Sequence, residues 1–292
     1  MTYLLHIVVM INIYVILSLS LNLIVGMGGM MSLCHAAFYG IGAYIGTLAM
    51  VNWGWSFFPA MILAVSGTAL LSLVISIPSL RLKGDYFVLG SLGFQSIVFV
   101  ILDNWTDVTC GSSGISGIPS PSFLGLEICE KPIWFAFSTI IMLICVALIA
   151  VIMDSPFGRT LKAIRDDEIA AGSLGKNVPW FKIRTFALAA GFAAVAGMLF
   201  CGYMPYIDPT SFTLMESVFI LSIIIIGGVG NLRGPIIGAI VLVGLPELLR
   251  FLELPEAIAA NIDNMRQVIY GLAIIILIRW RPQGLLGNYK FS

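Results

Sequence analysis

With 59% of its 292 residues hydrophobic, only 10% charged and a mean hydropathy of +1.03, this chain lies outside the range of water-soluble domains and reads as a polytopic membrane protein. Fifteen basic residues balance fifteen acidic ones, so net charge points to neither nucleic acid nor an anionic surface partner. The distribution of charge carries the information instead.

Apolar stretches at 3–25, 32–52, 57–80, 86–102, 132–153, 183–204, 214–230, 234–252 and 266–281 each approach the ~20 residues that cross a bilayer core as a helix. They predict an all-α fold of about nine crossings in one transmembrane domain, 1–292. The stretches starting at Tyr86, Leu214 and Arg266 are short, which suits half-helices or re-entrant segments supported by protein rather than lipid. The first stretch has no basic leader and no small-residue cleavage site, so it reads as a retained span. Twelve basic residues fall on one side of this arrangement and only Lys131, Arg250 and Arg266 on the other. That asymmetry puts the 154–184 loop and the C-terminus in the cytoplasm and the N-terminus outside.

Taken in order, the second stretch opens with SLCHAAFYGIG, in which Ser32 and His35 precede Gly42; Gly42 and Gly46 form a small-xxx-small pair. Such pairs bring helix backbones together in lipid, and a helix start of this kind also offers free amides to a solute. The 103–131 loop, glycine-rich at TCGSSGISGIPSP, reads either as an irregular connector or as a docking face outside the membrane. It holds Cys110 and Cys129, which an oxidising compartment would allow to pair.

The long polar passage 154–184, DSPFGRTLKAIRDDEIAAGSLGKNVPWFKIR, lies between apolar spans. Ser155 and Pro156 read as a cap and first turn, and Leu161, Ile164, Ala171 and Leu174 recur at about helical spacing. Gly175 supplies the stop. A short amphipathic helix pair on the inner face fits a groove in a soluble partner, although retained cytoplasmic loops also carry Lys and Arg with no partner at all. Gly158 and Arg159 enter the first helix. Lys162, Arg165, Asp166, Asp167 and Glu168 would set register by charge, and Ala170, Ala171 and Gly175 would allow close approach. Further on, GGVGNLRGP, with Gly227, Gly228, Gly230 and Gly234, breaks a helix at the inner boundary.

No nucleophile motif is present, and His6 and His35 have no partner at metal-ligand spacing; neither a metal nor a cofactor is expected. Glu216, Glu247, Asp85 and Asp103 all fall near span ends, whereas ion-coupled carriers usually place an acid in mid-span. An external energy source fits better. A passive channel or facilitator is the alternative from another class, and a membrane-embedded enzyme would need paired carboxylates or a metal cluster.

Glu168-Ile169-Ala170-Ala171 followed by Gly175 resembles the EAA loop by which permeases of ATP-binding-cassette importers dock their ATPases, with Ile169 as a departure. More broadly, SLCHAAFYGIGAY, LRLKGDYF, GISGIP, SPFGRTLKAIRDDEIAA, DPTSF, GGVGNLRGPIIGA and RPQGLLG occur in this order over nearly the whole chain. They resemble the LivM type of permease from ATP-driven importers of branched-chain amino acids. Cys34, Asp85 and Gln283 depart from the usual pattern of that family. The resemblance implies a non-enzymatic transport subunit in a bacterial inner membrane, paired with a homologous second permease. Two cytoplasmic ATPases and a periplasmic solute-binding protein would complete the importer. Relatives of the same fold import urea and short amides, so substrate identity stays open at this point.

Overall fold

The structure is a computed structural model that describes residues 2–79, 82, 84–119, 121–123, 126–127, 130–251 and 284–286. The expected span at 266–281 and Cys129, hence the Cys110–Cys129 pairing, lie outside the described residues.

The elements are almost entirely helical. The first helix, α1 (Thr2–Asn22), widens into one π-helical turn, Leu23–Met27, and Gly29 at φ +68° turns the chain back. Helix α2 spans His35–Trp53 and stops at Gly54, whose φ of +62° is the left-handed cap. Helices α3 (Phe57–Leu71) and α4 (Leu73–Ser79) form one span interrupted at Ser72, whose hydroxyl donates to the Ala69 carbonyl at 2.7 Å. Helix α5 (Asp85–Asn104) leads through α6 (Thr106–Thr109) to the two-residue strands β1 (Ile115–Ser116), β2 (Ser122–Phe123) and β3 (Leu126–Glu127). Next come α7 (Lys131–Asp154), α8 (Pro156–Asp166), α9 (Glu168–Ser173), α10 (Val178–Tyr203), β4 (Tyr206–Ile207), α11 (Leu214–Gly227) and α12 (Arg233–Phe251).

Among the described residues five helical spans are long and apolar enough to cross a membrane: Tyr3–Met27, Phe57–Pro78, Asp85–Asn104, Lys131–Asp154 and Val178–Tyr203. The helix at Tyr86 thus has 20 residues, the length of a full crossing, where the sequence suited a half-helix. Helix α11, with 14 residues, extends only ~21 Å at ~1.5 Å per residue, short of a ~30 Å hydrocarbon core. Helix α10 begins at Val178 rather than 183 because Asn177 Oδ1 accepts the Trp180 amide at 3.2 Å and Pro179 occupies the first turn.

Helix α2 occupies the centre, because its glycines and alanines let neighbours approach on several sides. Its tightest contact is with α10: a Cβ on Gly42 would strike Ala194, one on Gly46 would strike Met198, and one on Gly197 would come within 2.7 Å of the Ala43 amide nitrogen. Close approach of this kind replaces the hydrophobic effect as the cohesive force in lipid. At the end of the bundle opposite α8, β1 pairs antiparallel with β4, Ile115 facing Ile207, and the Tyr206 hydroxyl donates to the Ser113 carbonyl at 3.1 Å. The glycine-rich loop is anchored there. It sits beside DPTSF, where Asp208 accepts from Ser211 Oγ at 2.6 Å and Phe212 packs beneath Tyr39.

Candidate functional site

Two polar constructions stand out in this apolar bundle, one at the charged end that carries α8 and α9 and one deeper, at the start of α2. At the charged end, the Ser155 hydroxyl accepts the Gly158 amide at 3.3 Å and donates to the Ile152 carbonyl at 2.6 Å. Helix α8 therefore starts directly after α7. Gly158 is needed for that corner, since a Cβ would come within 2.6 Å of the Ile152 carbonyl. Gly158, Leu161 and Ile164 are the buried face of α8, and Leu161 packs into a cluster with Leu23 and Met27 of the α1 extension, Met153 of α7 and Ile226 of α11. Asp167 is extended, and its carboxylate accepts the Ile169 and Ala170 amides at 2.9 Å each, capping α9. Gly175, at φ +78°, turns the chain towards α10.

Arg165 joins this helix pair to the bundle. One guanidinium nitrogen, Nη1, donates to the Gly26 carbonyl in the π-helical turn at 2.8 Å, while Nε and Nη2 each lie 2.9 Å from Asp166 Oδ1. The side chain is only 12% exposed. It passes Gly29, where a Cβ would lie 2.7 Å from Arg165 Cγ, and Gly230, where one would lie 3.3 Å from Nη1. A π turn leaves carbonyls imperfectly paired and is common at functional positions; here the guanidinium takes one of them.

The same end is tied together by backbone groups. Asn22 donates from Nδ2 to the Asn231 carbonyl at 2.8 Å and accepts the Gly230 amide on Oδ1 at 3.0 Å. The Leu285 and Leu286 amides donate to the Ile226 and Gly227 carbonyls at 2.8 and 3.0 Å, and Asn231 donates to the Leu286 carbonyl. Residues 284–286 thus satisfy carbonyls at the end of α11, as a helix terminus inside a membrane protein requires.

The deeper construction caps α2. Its early amides are taken by side chains of other helices: Leu33 donates to Ser91 Oγ at 2.9 Å, Ala36 to Ser217 Oγ at 2.9 Å and Ala37 to Gln95 Oε1 at 2.7 Å. Gln95 Nε2 in turn donates to the Phe212 carbonyl at 2.8 Å. His35 is buried with Nε2 2.7 Å from Ser20 Oγ. Nearby, the Tyr14 hydroxyl donates to Glu216 at 2.7 Å.

The residues singled out from sequence therefore divide. Gly158, Leu161 and Ala171 are buried, and Arg165 and Glu168 contact their own chain, Glu168 through Lys182 Nζ at 2.8 Å. Arg159, Asp166, Asp167 and Gly175 are exposed, and Lys162 borders a hollow of about 440 Å³ with Asp154, Asn231 and Leu232. Ser32 and His35 lie at the α2 cap. Gly42 and Gly46 face α10, and Gly227, Gly228, Gly230 and Gly234 build the α11–α12 turn. The amides expected to be free for a solute at the start of α2 are occupied by Ser91, Ser217 and Gln95. Sequence reasoning missed Asn22, Gln95 and Ser217, whose only signal was a lone polar residue within an apolar span. Of the apolar residues counted on the charged loop, Leu161, Ile164 and Ala171 are buried, whereas Leu174, and Ile169 beside them, are 81% and 77% exposed.

Residues 3–278 match the family described as branched-chain amino acid transport system / permease component. The chain is 36% identical to the high-affinity branched-chain amino acid transport system permease proteins LivM of Salmonella typhimurium and of Escherichia coli, over 94% of this chain and 68% of each relative. It is also 25% identical to the Escherichia coli LivH permease protein of such a system, over 94% of this chain and 91% of that one. No solved structure gives a significant match.

Proposed function

The chain belongs to the branched-chain amino acid transport permease family, and from that membership and the geometry of its charged end we propose that it is the LivM-like membrane subunit of an ATP-driven importer of leucine, isoleucine and valine. In this reading one domain, 1–292, crosses the inner membrane about nine times, with its N-terminus in the periplasm and the 154–184 loop and C-terminus in the cytoplasm. A LivH-like permease is its partner in the membrane, as suggested by the resemblance to both members of that pair. Two ATPases dock from the cytoplasm, and a periplasmic solute-binding protein meets the surface that includes the anchored 103–131 loop.

The observation that carries the proposal is the Arg165–Gly26 hydrogen bond. The outward side of α8–α9 presents Arg159, Asp166, Ile169 and Leu174, a small apolar and charged surface of the kind that seats in a groove. Its inward side is joined through Arg165 to the π turn of α1, and the same guanidinium lies against the Gly230 turn between α11 and α12, which Asn22 ties to α1. Movement of a docked ATPase is thereby conveyed to two helix breaks at once. Both are irregular backbone segments joined to their neighbours by hydrogen bonds, and they form a two-state element that nucleotide binding biases. Ser32, His35 and the α2 cap lie deeper on the same route, where a rearrangement that frees the Ala36 and Ala37 amides would expose donors to a substrate carboxylate. Most selectivity rests with the binding protein, so weak contacts suffice along the pathway.

The test is uptake by vesicles containing the complete importer. Leucine is expected to accumulate only with ATP and the binding protein present, with urea not transported. Ile169→Asp and Leu174→Asp are expected to abolish co-purification of the ATPases while the permease stays folded. Conduction of leucine by the chain alone, without ATPases, would instead establish a facilitator.

A further inference from the structure

A groove of about 890 Å³ runs between α3, α7 and α10, lined by apolar side chains that include Val65, Leu148, Leu188 and Val195. Its floor is made low by small residues, Cys145 and Gly191. Gly191 differs from Gly42 and Gly197: a Cβ there would meet only Val65 Cγ1, at an ordinary 3.5 Å. No tight helix crossing accounts for this glycine, which keeps the groove wall low beside Val65.

At the end of the groove nearer α8 stands Arg184, on an exposed position of α10. Its guanidinium lies 3.4 Å from the centroid of the Trp180 ring, one turn towards the loop end. A Trp–Arg pair at a helix end is a membrane-interface anchor. Among the described residues Arg184 forms no salt bridge, the two ion pairs there being Arg165–Asp166 and Lys182–Glu168. From Arg184 to Val195 the groove extends roughly 16 Å at ~1.5 Å per residue, about half of a ~30 Å hydrocarbon core. That is the reach of one leaflet's acyl chain, whereas a partner helix would cover the full thickness. The cation stands at one end only, where a phosphate would be.

We propose that this groove is a specific site for an anionic phospholipid, with one acyl chain lying over Gly191 between α3, α7 and α10 and the phosphate held by Arg184 beside Trp180. The apolar contact is common to all phospholipids, and the charge supplies the preference; one cation near an anionic headgroup corresponds to about a fivefold change in binding. The experiment is native mass spectrometry of the purified full complex, exchanged with phosphatidylglycerol or with phosphatidylcholine of the same acyl chains. The wild type should retain phosphatidylglycerol preferentially. Arg184→Gln should lower that retention about fivefold and leave phosphatidylcholine unchanged. Gly191→Phe, or Cys145→Phe from the opposite wall, should lower both lipids. Phosphatidylglycerol retention insensitive to Arg184→Gln overturns the proposal, as does a photo-crosslinker at Leu188 that captures a protein chain instead of lipid.

Discussion

The α2–α10 contact and the charged end of the bundle are both rich in glycine, yet glycine does different work in each. Along α2 and α10, Gly42, Gly46 and Gly197 let two helices touch backbone to backbone, and cohesion comes from packing that has no alternative arrangement nearby. At the charged end, Gly26, Gly29 and Gly230 instead leave room for the side chains of Asn22 and Arg165, whose hydrogen bonds join the segments there. Hydrogen bonds to carbonyls can be exchanged for others at modest cost, whereas a close-packed seam cannot shift without opening voids. The first region is suited to be a fixed axis and the second to be a joint.

The largest expected effect comes from breaking the axis. Gly197→Leu would place side-chain atoms on the Ala43 backbone, and overpacking of this kind costs ~1–3 kcal/mol or more; the expected result is a loss of monodisperse protein and a clear fall in thermal unfolding midpoint. Next is Arg165→Ala, which removes a charge-assisted hydrogen bond of about 1.5–3 kcal/mol from the joint alone. Limited proteolysis of the 155–177 loop is expected to quicken several-fold while the unfolding midpoint moves little. Arg165→Lys should restore only part of the protection, because an ammonium lacks the fork that serves Gly26 and Asp166 together. Gln95→Ala tests the border between the regions: it strands the Phe212 carbonyl and leaves the Ala37 amide only its longer bond to the Cys34 carbonyl at 3.1 Å, at a cost of ~1–3 kcal/mol shared with any water that enters, and hydrogen exchange should rise at the start of α2 but not along α10. Glu168→Gln comes last. Its partner Lys182 is well covered but Glu168 is 40% exposed, so removal of the pair should change stability by less than ~1 kcal/mol.

How far the sequence foretold these regions follows from the range of the signals. Helix ends set by local chemistry were legible: Ser155 and Pro156 opening α8, Gly175 closing the pair, Gly42 and Gly46 marking a helix contact. The direction of Arg165 was not legible, because it sits next to Ile164 at the edge of the apolar face, where an outward and an inward rotamer give the same pattern. Nor could one sequence show that Leu285 and Leu286 would satisfy carbonyls of α11, or that Ile115 and Ser116 would pair with the strand before DPTSF, since both contacts join segments far apart in the chain. The length of α5 was underestimated because Asp85, Asn104 and their neighbours lower hydropathy at both ends of a helix that continues through them.

The central claim is that force from the docked ATPases reaches the helix breaks through Arg165. It is tested most directly by counting leucine molecules imported per ATP hydrolysed, in vesicles containing the full importer with either wild-type or Arg165→Ala permease. The account predicts that the variant keeps its ATPases and continues to hydrolyse ATP, while the ratio falls by tenfold or more. An unchanged ratio, with uptake and hydrolysis intact or declining together, would contradict it.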